Sequence, residues 1–145
     1  MDYVQNNNLV VMLHSEQIMR KPCKDIVIIK TNYPYVDIEF SDGRIATIDM
    51  TVKDIIVYCD NMVKISRGCF IKDSFIKSIE ILSRKKSQKS IPRKFTIVTT
   101  IKGTTYRSSS TAFYNEIFRF LFKKGLCTSK KSLRVGSIVS LDIGN

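Results

Sequence analysis

Arg67 carries a side chain suited to reading a nucleic-acid base, because a guanidinium fork bonds O6 and N7 of guanine together. It follows Val63-Lys64-Ile65-Ser66, whose alternation marks a half-buried strand with Val63 and Ile65 facing one way. The expected turn is Arg67-Gly68-Cys69-Phe70-Ile71, where Gly68 takes backbone angles closed to other residues. Ile76, Ile79 and Ile81 then mark a second strand. The cations at Lys64, Lys72, Arg84, Lys85, Lys86, Lys89, Arg93 and Lys94 suit phosphate neutralisation, which releases counterions and makes binding steeply salt-dependent. Chemistry that breaks bonds has no such foothold. There is one His, the acids are scattered, and no nucleophile elbow, phosphate loop or paired-carboxylate motif is present, so no enzyme and no cofactor are expected. Cys23, Cys59, Cys69 and Cys127 are widely spaced, without a Cys-x-x-Cys pair, so no metal site is expected either. His14, alone at a strand end, reads as a surface or capping residue.

Charge narrows the partners. The chain has 145 residues and a formal net charge of +11, which favours a polyanion: nucleic acid first, an anionic membrane surface second. The excess is one-sided. Residues 1–80 hold 10 Lys/Arg against 11 Asp/Glu, whereas residues 81–145 hold 14 against 2. Ordinary apolar content and this length imply a single folded core. No run reaches the roughly 18–20 apolar residues of a membrane helix. Unpaired-looking cysteines and the lack of a signal peptide make a reduced, cytoplasmic setting the expectation.

The elements that must position these groups are mostly strands. Residues 1–8 read as a polar lead-in and Leu9–Leu13 as a buried strand. Asp25–Ile29 is a β-branched strand, and Lys30-Thr31-Asn32-Tyr33-Pro34 a turn. Tyr35–Phe40 alternates, Ser41-Asp42-Gly43-Arg44 closes a hairpin, and Ile45–Met50 returns. Thr51 and Asp54 have capping-box spacing for a helix over 51–59, with Val52, Ile55, Ile56 and Cys59 on its apolar face. Ser83–Lys94, with six basic residues and no acid, reads as a loop. It is followed by the strand Phe95–Ile101, a turn at Lys102-Gly103 and a strand at Thr104–Arg107. Ser108 to Thr111 offer N-caps for a helix from Ala112 to Lys124, which Gly125 stops. The alternation in Val135–Ile143 fits an extra edge strand or a partner-binding strand. The fold class is mainly β with small helices.

The run Val63-Lys64-Ile65-Ser66-Arg67-Gly68-Cys69-Phe70-Ile71-Lys72, followed by Ile76-Lys77-Ser78-Ile79, resembles the signature of LytTR-type DNA-binding domains, effector modules of bacterial response regulators. The hydrophobic frame and Arg67 match; Ser66 stands where the family has His, and Lys72 where it has Asn. The order of strand, hairpin, helix, basic turn, strand, hairpin, Ser turn and helix extends the resemblance over about residues 25–122. It implies short antiparallel sheets and a sequence-specific transcriptional regulator whose loops enter successive major grooves of bent double-stranded DNA. It places Asn32, Tyr33 and Tyr35 in one reading loop and Ser66 and Arg67 in a second. A third comprises Tyr106, Arg107, Ser108, Ser109, Ser110 and Thr111. It further implies paired repeat sites, two protomers on one operator, and no small-molecule substrate. The expected organisation is an N-terminal extension over 1–24, the DNA-binding domain over 25–125 and a C-terminal extension over 126–145. A receiver-type phosphorylation switch has no room in these residues, so control is expected through abundance, a regulatory protein partner, or another part of a longer chain. The competing expectation is a basic interaction module that docks an acidic partner or a membrane surface.

Overall fold

The computed structural model describes residues 3–12, 16–84, 87–89, 93–108, 111–129 and 133–141, with the side chains of 111–114 outside the description. The expected mainly-β architecture is observed, as three antiparallel sheets. One joins β1 (Val4–Gln5), β2 (Asn8–Met12) and β3 (Ile18–Pro22) in that order. The second has the order β6-β5-β4-β8-β7, from β4 (Ile26–Asn32), β5 (Tyr35–Phe40), β6 (Ile45–Ile48), β7 (Met62–Ser66) and β8 (Cys69–Lys72). The third has the order β11-β10-β9-β12, from β9 (Ile76–Arg84), β10 (Arg93–Thr100), β11 (Thr105–Ser108) and β12 (Ile138–Ser140). Among the described residues, two helices, α1 (Val52–Ile56) and α2 (Thr111–Lys123), complete it with 3-10 turns at Cys23–Asp25 and Asp73–Phe75.

The chain divides into two compact units rather than the single one expected. Unit 1 comprises Met1–Met62 and Gly68–Lys72; unit 2 comprises Val63–Arg67 and Asp73–Asn145.

In unit 1, the β-branched run Ile26-Val27-Ile28-Ile29 is buried throughout, and Val36, Ile38 and Phe40 bury alternate positions of β5. Leu9, Val11, Met19 and Cys23 join the same core as Ile29, Ile38, Phe40, Ile48 and Ile55. Four residues of the expected N-terminal extension, Leu9, Val11, Met19 and Cys23, are therefore part of this unit's interior. Each fully buried Ile or Leu contributes roughly 1.5–3 kcal/mol. Thr51 caps α1 as its spacing implies, Oγ1 accepting from the Asp54 N–H at 3.2 Å. The helix is shorter than 51–59 because Tyr58 N–H and Cys59 N–H bond back three residues, to Ile55 and Ile56, tightening the last turn.

Two expected turns shrink. Asn32 pairs with Tyr35, so Lys30–Asn32 extend β4 and leave only Tyr33-Pro34 as the turn. Cys69 pairs with Lys30 and Ile71 with Ile28, so Cys69–Ile71 are strand, leaving Arg67-Gly68 to turn the chain.

In unit 2, α2 packs on β10 through the buried Ile117, Phe120 and Leu121, over a sheet whose Ile79, Ile81 and Val98 are fully buried. Gly125 ends α2 at φ 72°, its N–H bonding to the Phe122 carbonyl while the Leu126 N–H bonds to the Leu121 carbonyl. That is the bond pair of a Schellman cap. The expected Ser83–Lys94 loop is shorter than its charge run: Lys94 pairs with Ser83 and Arg93 with Arg84 inside the β9–β10 ladder. The C-terminal alternation forms β12, an extra strand on the edge of β9.

Candidate nucleic-acid interface

The Arg67-Gly68 turn is fixed by sterics as well as by its strands. Gly68 adopts φ +76°, and a Cβ built there would lie 2.3 Å from Thr31 Oγ1. The Gly68 carbonyl accepts from the Thr31 N–H at 2.8 Å, so the glycine both turns the chain and allows it to close on β4. Arg67, the residue before it, is exposed, and Ser66 and Lys64 are half-buried.

Tyr33 is 91% exposed at the β4–β5 turn, with Asn32 and Tyr35 beside it in the ladder and also exposed. Asn32 is not idle there. Its Nδ2 donates to Asp37 Oδ2 at 3.1 Å, and Thr47 Oγ1 donates to Asp37 Oδ1 at 2.7 Å. The alternation of β5 puts Asp37 on the Tyr35 face, so a carboxylate organises this surface.

Lys72 departs from its expected role as a phosphate contact. Its Nζ donates to the Lys24 carbonyl within unit 1, and the side chain is half-buried.

The third sheet gathers several of the remaining residues. Pairing Thr96 with Ser108 puts the end of β11 only three residues along β10 from Arg93, which itself faces Arg84. At about 3.4 Å per residue, the last residue of β11 and the Arg84–Arg93 pair lie at one end of the sheet, about 10 Å apart. Arg84, Lys89, Arg93 and Lys94 are exposed there, Lys94 Nζ lying 3.4 Å from the Leu133 carbonyl. Arg107 is exposed, its guanidinium 3.9 Å from the centre of the Phe95 ring, a cation–π contact that fixes its plane. Like charges directly opposite each other in a ladder are unfavourable, so the Arg84–Arg93 pair is an arrangement that an anion would relieve.

Ser108 corrects another expectation. It is fully buried in β11 and cannot present a surface hydroxyl; its Oγ and the facing Thr96 Oγ1 both lack hydrogen-bond partners. Tyr106 is half-buried. Lys85, Lys86, Ser109, Ser110 and the side chain of Thr111 lie outside the described residues, as do His14, Lys130, Lys131, Asp142 and Ile143.

The charge asymmetry is sharper by unit than by sequence half. Unit 1 holds seven Lys/Arg against nine Asp/Glu, a net −2, and unit 2 holds seventeen against four, a net +13. None of the four cysteines is in a disulfide. Burial pushes Cys23 and Cys127 up from the usual thiol range, and Cys59 up to about 12, so none of these three is poised as a nucleophile.

No protein-family model matches the chain, nor does any curated protein or solved structure.

Proposed function

We propose that this chain is a LytTR-like regulator that binds double-stranded DNA sequence-specifically, with loops braced by β-strands in the major groove. The observation that carries the reading is the segregation of charge: a net +13 in unit 2, with Arg84 and Arg93 paired across a ladder at the same sheet end as the last residue of β11. Surface electrostatics of this kind supply affinity without sequence information. Arg84, Lys89, Arg93 and Lys94 take phosphates, with Lys85 and Lys86 adding to them. The exposed Arg67, on a turn held by Gly68, supplies the base reading, and Asn32, Tyr33 and Tyr35 form a second reading loop. Two protomers on paired repeats are the expected binding unit.

Selection of bound duplexes from a random pool with the purified chain tests the proposal. A recurring motif is the expected outcome; binding without enrichment leaves only a basic interaction module. Replacing Arg67 by Ala is expected to lose roughly 1–3 kcal/mol of specific affinity and relax one position of that motif. An equal loss on specific and random duplexes would demote Arg67 to a phosphate contact.

A further inference from the structure

Helix α2 has more apolar surface than its sheet uses. Ile117, Phe120 and Leu121 are buried against unit 2, yet Phe122 is 56% exposed, Leu126 is 40% exposed and Phe118 is half-exposed. The Phe118 and Phe122 rings lie 6.0 Å apart, one helical turn along the same side, and Leu126 continues the spacing of four. The Schellman bonds of Gly125 and Leu126 hold that last residue back against the helix end. Basic groups flank the stripe: the Arg119 side chain is 75% exposed, loosely paired with Glu116 at 3.8 Å, and Lys123 is exposed. Lys124 is instead tied to Asp73 at 3.0 Å.

We infer that the Phe118–Phe122–Leu126 stripe is a docking site for an acidic amphipathic helix of a partner protein, its apolar anchors on the rings and its carboxylates on Arg119 and Lys123. Charge selects this occupant over a second copy of the chain, since a symmetric α2–α2 contact would set Arg119 and Lys123 against their own counterparts. Shape selects it over a lipid surface. The stripe is one residue wide, the seam of a helix-in-groove contact, whereas an interfacial helix needs a broad apolar face, and that face of α2 is already buried. So narrow a site suits a transient, salt-sensitive complex. The stripe begins at Phe118, about 10 Å along the axis from Thr111. This inference does not depend on the DNA reading.

The test uses the full chain and a fluorescein-labelled peptide with Leu along one helical face and Glu on both flanks. The control is a peptide of equal composition with the Leu residues scattered. Phe122→Ala is expected to weaken binding of the first peptide at least about tenfold, and the double reversal Arg119→Glu, Lys123→Glu comparably. Both variants change exposed side chains, so circular dichroism and thermal unfolding should match the parent. Equal binding of the two peptides, or no difference between parent and variants, overturns the inference. So does Phe122-dependent sedimentation with phosphatidylserine vesicles without peptide binding, or a dimer in sedimentation that Phe122→Ala dissolves.

Discussion

Strand β5 of unit 1 and the β9–β10 hairpin of unit 2 both set charged side chains on a sheet surface, and they do so in opposite ways. On β5 the charge is settled within the unit: Asp37 accepts from Asn32 and Thr47, and unit 1 is close to neutral. On the hairpin, Arg84 faces Arg93 and the surrounding unit is strongly positive. A satisfied carboxylate rigidifies the turn next to it; an opposed pair of cations leaves its balance to whatever binds. The difference separates a region whose charges are paired within the fold from one whose charges are not.

The largest effect expected from breaking this contrast lies in unit 1. Gly68→Ala forces a side chain into a positive-φ position and onto Thr31 Oγ1, and should cost roughly 3 kcal/mol in chemical denaturation. A loss under about 1 kcal/mol would mean that the turn is not locked. Next, Arg84→Gln with Arg93→Gln should flatten the salt dependence of duplex binding by about 1.8 in log–log slope, for two phosphates lost. The matched change in unit 1, Arg44→Gln with Lys53→Gln, should leave the slope alone; equal flattening in both would erase the distinction between the units.

A smaller effect concerns alkaline stability. Burial holds the Cys59 pKa at about 12 against an ordinary 9.0, so its folded form favours the protonated thiol. That contribution is complete below pH 9 and is lost as pH rises towards 12, about 1 kcal/mol being gone by pH 10. Denaturant midpoints of the parent and Cys59→Ala should therefore converge as pH rises from 8 to 10. The smallest change is in unit 2, where Thr96→Val removes a hydroxyl without a partner and should be neutral or stabilising within about 1 kcal/mol. A clear destabilisation would show that the Thr96–Ser108 pair is bridged.

What could be read from the chain was local. The Thr51 cap, the Asp42-Gly43 hairpin and the Gly125 stop depend on a few adjacent residues, and each forms where its spacing puts it. Burial in unit 1 follows the alternation of Tyr35–Phe40 for the same reason. Facts that depend on register were hidden. Nothing in Cys69-Phe70-Ile71 announces that β4 is its partner, and nothing in Ser108 says that it is buried opposite Thr96 rather than facing solvent. Lys72 looked like a free cation because the carbonyl it meets belongs to Lys24, far away in sequence. The exposed Arg67 needed only its own turn.

β12 has a practical bearing on how the protein is handled. Its hold on β9 is largely main-chain: Gly136 and Ser137 bond with Ile81, and the Leu141 N–H reaches the Lys77 carbonyl, while Ile138 stays in solvent. A version shortened ahead of Gly136 would bare a row of amides and carbonyls along β9, the longest strand among the described residues, an invitation to self-association. Affinity tags therefore belong at the other terminus.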